Sequence, residues 1–267
     1  MSGYIGKKIR LERIFNRETK RTIIVPMDHG LTVGPIKGIE KNLGDMVNKI
    51  ALGGANAVLG HVGIPLYAHR GYGPDIGLIL HLSGSTSISP DSNLKVLVNT
   101  VLEAVKFGAD GVSIHINIGT KSDPEMLETL GSVARNCRDL GMPLLAMMYP
   151  RGDNIKDEHN VELVKIAARV AAELGADIVK TNWTGDPDSF KEVVEGCMIP
   201  VIIAGGEKAG IREILEITKQ SVDAGGAGVA YGRNVFQSED PTKFMRALYL
   251  IVQKNYDVSE AIKEIDQ

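Results

Sequence analysis

Short apolar stretches rich in valine and isoleucine recur along the chain at 22–27, 56–59, 78–82, 111–116, 143–149, 177–181, 200–204 and 228–231. Each is continuous rather than alternating, the pattern of a strand covered on both faces, and helical patterns fill most of the intervals. Eight strands spaced by helices predict an α/β chain folded as a single (β/α)8 TIM barrel. The clearest helix is expected to begin near His159, where Leu163, Ile166, Ala167, Val170 and Leu174 form an apolar stripe at spacings of three and four. Another starts with Asp123 as N-cap and Pro124 in the first turn, then runs through Met126, Leu130, Val133 and Cys137, which makes Cys137 a core residue.

An internal echo favours a closed barrel over an open sheet. Gly54-Ala55-Asn56, Gly108-Ala109-Asp110, Gly175-Ala176-Asp177 and Gly226-Ala227-Gly228 stand before strands two, four, six and eight. Glycine suits the left-handed position that ends a helix, and the small residue after it permits a tight turn into the strand. Strands five and seven are entered through Pro143 and Pro200 instead. The segments 61–77 and 83–93 are rich in Gly, Pro, Ser and His, and read as enlarged loops after strands two and three that cover a substrate at the C-terminal face. For 85–93 a plain surface loop is the competing reading. No linker or low-complexity run divides the chain, so 1–267 reads as one domain, with 1–20 a helical cover and 254–267 a C-terminal helix.

A length of 267 residues with 43% hydrophobic content accommodates one large barrel core. The formal net charge of −3 leaves no basic surplus for a phosphate backbone, which argues against nucleic acid as a partner. Cys137 and Cys197 lie in no CxxC or Cys/His cluster, so neither a disulfide framework nor a zinc site is expected, and a reducing cytoplasm is the natural setting. Lys7, Lys8, Arg10 and Arg13 alternate with apolar residues at the start, as in a short amphipathic helix over one end of the domain. No run of 18 apolar residues follows or occurs elsewhere, and a soluble protein without a membrane partner is expected.

Lys180 stands out because it is the fourth residue of an otherwise apolar strand, which places it inside the wall near the barrel mouth. Desolvation there favours the neutral amine, a nucleophile for carbonyl carbon and the origin of a Schiff-base lysine; a structural ion pair is the alternative. Tyr149 ends the neighbouring strand and could donate the proton that removes hydroxyl from a carbinolamine, or be a rim aromatic. Asp28 directly follows strand one, where a carboxylate could deprotonate a substrate hydroxyl or hold it in register with the lysine; capping a turn is its structural alternative. Asp28 with His29 forms an incomplete ligand set, since adjacent residues of a strand point to opposite faces, and no metal is expected.

Strand seven runs into Gly205-Gly206-Glu207-Lys208 and strand eight into Gly232-Arg233-Asn234. Glycine loops at adjacent strand ends, a following helix N-terminus, and Lys208 and Arg233 read as the phosphate site typical of barrels. His61, His69, His81 and His115 show no metal spacing, although His61, His81 and His115 could line the mouth. Met27, Met147 and Met148 read as packing.

Together, Met27-Asp28-His29-Gly30, Met148-Tyr149-Pro150-Arg151-Gly152, Val179-Lys180-Thr181 with Thr184-Gly185-Asp186, Ala204-Gly205-Gly206 and Gly232-Arg233-Asn234 resemble the archaeal-type class I aldolases of the DeoC/FbaB group over essentially the whole chain. Within that group, 11–18, 34–38 and 81–86 look most similar to the branch that synthesises 2-amino-3,7-dideoxy-D-threo-hept-6-ulosonate. The resemblance implies Lys180 as the Schiff-base residue, Tyr149 as proton donor and Asp28 as assistant, with no cofactor. It implies substrate contacts from Asp28, His29, Gly30, Leu31 and Thr32, from Tyr149, Pro150 and Arg151, and from Gly205, Gly206, Gly232 and Arg233. It further implies transfer of the deoxy three-carbon unit of 6-deoxy-5-ketofructose 1-phosphate to L-aspartate semialdehyde, on a route to 3-dehydroquinate and the aromatic amino acids, by a homo-oligomer larger than a dimer. Two positions depart from the family pattern, Trp183 for Tyr and Glu207 for Pro, and Glu207 puts negative charge beside the phosphate site.

Three other readings remain open on the residues. A fructose-bisphosphate aldolase would use the same lysine and keep phosphate on the enamine half. A non-covalent phosphosugar-binding barrel would use Lys180 only for an ion pair, and another barrel chemistry such as acyl transfer or isomerisation needs no Schiff base. Apolar residues within 244–252 fit a subunit interface as readily as the outer packing of the barrel.

Overall fold

The computed structural model describes residues 2–68 and 70–266; His69 lies outside the described residues, as do Met1 and Gln267 at the ends of the predicted domain. The elements run α1 (Ser2–Ile14), β1 (Thr22–Pro26), α2 (His29–Val33), α3 (Leu43–Leu52), β2 (Ala57–Gly60), α4 (Gly63–Tyr67), β3 (Gly77–His81), β4 (Ser83–Gly84), β5 (Val96–Leu97), α5 (Val101–Lys106), β6 (Gly111–Ile118) and α6 (Asp123–Leu140). They continue β7 (Leu144–Pro150), α7 (Val161–Glu173), β8 (Ile178–Thr181), α8 (Pro187–Glu195), β9 (Val201–Ala204), α9 (Ile211–Asp223), β10 (Gly228–Ala230), α10 (Arg233–Phe236), α11 (Pro241–Lys254) and α12 (Val258–Asp266). Strands β1, β2, β3, β6, β7, β8, β9 and β10 pair in parallel in that order and close on β1, the (β/α)8 barrel that the eight apolar runs predict. β4, at the start of the segment 83–93 read as a loop, pairs antiparallel with β5 just beyond that segment, forming a separate ribbon.

Alternation is present after all, but hidden by burial on both sides of the wall. Ile24, Ala57, Leu59, Ile79, Leu145, Met147, Ile178, Ile202 and Ala230 pack together inside the barrel. Their chain neighbours Ile23, Val25, Val58, Leu80, Ala146, Met148, Val179, Val201 and Val229 belong to the layer under the helices. Side chains two apart share a face of a strand, so Lys180 points inward with Ile178, and Tyr149 with Met147. No helix of the described residues is long and apolar enough to cross a membrane.

Helix α1 closes the N-terminal end. Leu11, Ile14 and Phe15 pack against the inner cluster, while Lys7 pairs with Asp177 at 2.9 Å and Arg13 with Asp110 at 2.5 Å. Those carboxylates explain the Gly-Ala-Asn/Asp echo further. Asn56 accepts from the Ile23 N–H, Asp110 from Leu78 and Asp177 from Leu144, so each third residue holds the start of the preceding strand. The fourth repeat differs. There Gly225 takes the positive φ rather than Gly226, and Gly228 has no side chain because a Cβ would overlap the Thr22 carbonyl.

Several expected boundaries move. Ser122, not Asp123, precedes α6, and Asp123 instead accepts from the Gly119 N–H. The helix expected from His159 begins at Val161, capped by the Asn160 side chain on Glu162 and Leu163. The C-terminal helix starts at Val258, after Asn255 ends α11 in the left-handed conformation. The stretch 61–77 is expected to cover the mouth, but none of its described residues lines the cavity there: His61 packs against His81, and residues 70–76 line a separate outer depression with Lys106 and Phe107. Phe244, Met245, Ala247, Leu248, Leu250, Ile251 and Val252 are buried within the chain, so the apolar face of α11 is spent on the barrel. Cys137 is fully buried, and burial pushes its thiol up to about 12.

Candidate active site

A cavity of about 630 Å³ opens at the C-terminal ends of the strands. Lys180 lies in its wall at 8% exposure, in register with Met147 of β7 and Ile202 of β9. Tyr149 stands one inward step further along β7. Its ring meets His115 edge-on at 5.0 Å and carries the Arg151 guanidinium 5.0 Å from its centroid. Asp28, at the end of β1, completes the set of side chains around the mouth, although it gives α2 no side-chain cap.

The polar side of the wall is built by alternation. Ser113, His115 and Asn117 occupy the inward positions of β6 and His81 that of β3. His81 Nδ1 lies 2.7 Å from Ser113 Oγ, its Nε2 3.9 Å from Asp28, and its ring 5.0 Å from His61. Burial holds the His81 imidazolium down to about 4, so this ring is neutral near pH 7. Burial also lowers His29, His61 and His115. Burial raises the Asp28 carboxyl, but His81, His29, Lys180 and His61 together outweigh it and bring Asp28 down to about 2. It is therefore a carboxylate across the neutral range. Among the described residues, His29 Nδ1, His61 Nδ1 and Thr181 Oγ1 are buried without hydrogen-bond partners. Such atoms are uncommon in a folded interior; of the three, His29 lines the cavity beside Asp28 and leaves a polar atom for a ligand there, whereas Thr181 follows the inward Lys180 and faces the outer layer.

On the other side, Asn234 fastens two glycine loops together. Its Nδ2 donates to the Gly205 and Glu207 carbonyls and its Oδ1 accepts from the Ala209 N–H. Arg233 donates to the Gly206 carbonyl at 3.0 Å. Gly206 has a φ of 57°, and a Cβ at Gly232 would lie 2.8 Å from the Pro26 carbonyl and 2.6 Å from His29 Cε1. These glycines are set by left-handed backbone and by close approach respectively.

Of the predicted residues, Asp28, His29, Thr32, Tyr149, Arg151, Lys180, Gly205, Gly206, Gly232 and Arg233 line the cavity. Gly30, Leu31 and Pro150 do not: Gly30 lies within α2, the Leu31 side chain packs toward Gly84, and Pro150 is buried in register with Ile118. Lys208 is also turned away, since its ammonium donates to the Gln237 carbonyl. Trp183 packs behind the wall against Phe190 at 5.1 Å. Glu207 stays exposed at the rim beside Gly206. Lys95, Glu158, His159 and Asn182 line the cavity without having been named for it, as does Asn234, which was quoted only within its motif. Asn182 and Asn234 were within reach of the sequence, one sitting next to a named motif and the other inside one; Lys95 and Glu158 arrive from loops whose path no pattern reveals. Among the described residues no three His, Cys, Asp or Glu side chains converge as a metal ion requires.

The family model of the DeoC/LacD family aldolases matches residues 22–238. The 2-amino-3,7-dideoxy-D-threo-hept-6-ulosonate synthase 1 of Archaeoglobus fulgidus is 44% identical over 97% of this chain and 95% of its own. The 2-amino-4,5-dihydroxy-6-oxo-7-(phosphonooxy)heptanoate synthase of Streptomyces griseus is 37% identical over 88% of this chain and 86% of its own. A solved archaeal fructose-1,6-bisphosphate aldolase, with its catalytic lysine bound covalently to the carbinolamine intermediate, superposes with a TM-score of 0.85 at 32% identity, covering 92% of this chain and 99% of that one. With a closed parallel barrel, an inward lysine at its mouth and this extent of likeness, the chain belongs to the DeoC/LacD family of aldolases.

Proposed function

We propose that this aldolase is a Schiff-base transaldolase that moves the deoxy three-carbon unit of 6-deoxy-5-ketofructose 1-phosphate to L-aspartate semialdehyde, giving 2-amino-3,7-dideoxy-D-threo-hept-6-ulosonate. The observation that carries it is the buried inward amine of Lys180 flanked by Tyr149 and Asp28 in one cavity. The 44% identical relative, a synthase of 2-amino-3,7-dideoxy-D-threo-hept-6-ulosonate, supports that product.

In this reading the Lys180 amine adds to the C5 ketone, and the hydroxyl of the carbinolamine leaves as water with a proton donated by the Tyr149 hydroxyl. The resulting iminium withdraws electrons from the C3–C4 bond. The C3 hydroxyl proton then passes to the Tyr149 oxygen, which gave its own proton to the departing water, forming an aldehyde at C3 and leaving C4–C6 as an enamine on Lys180. Asp28 is too weak a base to hold that proton for long, so its part is to accept the hydroxyl hydrogen bond and balance the iminium charge. The enamine carbon attacks the aldehyde of the incoming acceptor, and water frees the product and the amine. The glycine loops with Arg233 face the end of the ligand next to the ketone.

The test is borohydride reduction in the presence of the ketose phosphate, peptide mapping, and mass spectrometry of products with and without aspartate semialdehyde. An adduct on Lys180 and an acceptor-dependent seven-carbon product are expected. A map without a Lys180 adduct refutes the covalent mechanism, and turnover of fructose 1,6-bisphosphate alone reassigns the substrate.

A further inference from the structure

The cavity holds a second cationic pole that the catalytic steps above leave unused. Lys95 reaches it from the segment between β4 and β5, which Asn117 Nδ2 pins through the Asn93 carbonyl at 2.7 Å, and Arg151 reaches it from the end of β7. In the closed strand order β8 lies midway between β6 and β10. The Lys95 pole therefore stands across the mouth from Gly232 and Arg233, with Lys180 between. Lys95 donates to Ser85 Oγ and the Ser92 carbonyl, both neutral, and forms no ion pair among the described residues. Asp91, the nearest acid along the chain, accepts instead from Asn93, Leu94 and Ser122. Burial and then the Arg151 charge push the Lys95 ammonium below its ordinary value. Two facing cations, one half-buried and without a counter-ion, suit an anionic ligand. Arg151 meets Glu158 only through Nε, at 3.1 Å, and the Glu158 backbone is fixed by Asn182 at 2.9 Å.

We propose that Lys95, Arg151 and Glu158 form the subsite for the α-amino-carboxylate end of the acceptor aldehyde. The inference rests on the transaldolase reading above. The two synthases named above make seven-carbon products that share an amino group at C2 and a ketone at C6 and differ at C7, where one carries phosphate and the other only hydrogen. Opening either product between C4 and C5, the bond placed for aldol chemistry by a C6 ketone, returns the same four-carbon 2-amino-4-oxo acid. With C6 on Lys180, its carboxylate and ammonium lie at the far end of the ligand, away from the loops that face C7. The carboxylate fits between the Lys95 ammonium and the Arg151 guanidinium, and the ammonium fits the Glu158 carboxylate. The same two cations receive the phosphate of the departing three-carbon aldehyde. Glu158 disfavours that dianion against a zwitterion, which helps one leave and the other enter.

The measurement is transaldol kinetics with L-aspartate semialdehyde and with succinate semialdehyde, which lacks the amino group, beside borohydride trapping of hydroxyacetone, which has no anionic end. Losing one charge-assisted contact corresponds to roughly tenfold or more. Lys95→Met is expected to raise the acceptor KM about tenfold for both aldehydes while the hydroxyacetone adduct on Lys180 forms as in the wild type. Glu158→Gln, an isosteric change at a half-buried position that does not depend on the Lys95→Met variant folding, is expected to raise KM for the amino aldehyde and spare the deaminated one. Acceptor KM values within twofold of wild type in both variants overturn the proposal. So does a Lys95→Met defect confined to dihydroxyacetone phosphate, which would assign the pole to a phosphate beside the ketone. A wild-type enzyme without any borohydride adduct instead removes the Schiff-base reading beneath it.

Discussion

Replacing Gly232 by alanine tests how tightly the loop after β10 is keyed to the loop that carries Asp28. The added Cβ would sit 2.8 Å from the Pro26 carbonyl oxygen and 2.6 Å from His29 Cε1. Comfortable non-bonded separations begin near 3.5 Å, so the two backbones must part by about 0.7 Å. Pro26 ends a strand paired on both sides and yields little, which pushes the movement into His29 and the adjoining Asp28. Overpacking of this kind costs about 1–3 kcal/mol, a fall of roughly 2–12 °C in Tm for a chain of this size. A displacement approaching 1 Å at a catalytic group corresponds to about a hundredfold in rate, so if Asp28 has the proposed role kcat/KM is expected to drop roughly tenfold to a hundredfold. Thermal melting and steady-state kinetics on one preparation read both effects. A variant that melts within a degree of wild type and keeps its kcat/KM would refute the claim that this contact positions Asp28.

Tyr149→Phe is expected to lower kcat about a hundredfold or more while borohydride still traps some Lys180 adduct, since in the proposed mechanism the phenol moves a proton and does not form the bond; full activity would remove it from the mechanism. Asn234→Ala breaks three part-buried hydrogen bonds and is expected to cost about 2–4 kcal/mol in denaturant melts, with a raised KM for ligands phosphorylated next to the ketone. Acid should destabilise the fold in two steps. His81 is lowered to about 4 when folded, so its neutral form is favoured by folding. The stability it contributes is present above the unfolded value near 6.5 and is lost as pH falls toward 4, at up to about 1.4 kcal/mol per pH unit. Asp28, lowered to about 2, adds a second loss below about pH 4, and melts at pH 7, 5 and 3 should show this order. Iodoacetamide at pH 8 is expected to reach half-buried Cys197 before Cys137, whose thiol is buried and raised; equal labelling in native protein would contradict the packing of α6.

How much of this was legible follows from what each feature depends on. All eight strands were readable because burial on both faces demands unbroken apolar runs, and Lys180 was readable because a lysine there violates its own surroundings. The ribbon of β4 and β5 was not, since two-residue strands in a Ser- and Gly-rich loop carry no periodic signal. Local sequence also misplaced Lys208. Its neighbourhood of glycines was correct, but the direction of a long side chain on a loop is decided by whichever acceptor lies within reach, here the Gln237 carbonyl.

By itself, then, the order of residues along the chain determined the barrel, the depth of the lysine and the two glycine loops, because each rests on hydrophobic period or backbone freedom within a few residues. The tertiary structure alone decided which charges meet. Closure of the barrel brings Lys95 and Arg151 to one side of the mouth and Arg233 to the other. It neutralises the basic face of α1 against Asp110 and Asp177, and spends the apolar face of α11 inside the chain. Those outcomes depend on through-space distance between residues far apart in sequence, and Coulomb and packing forces act on that distance alone.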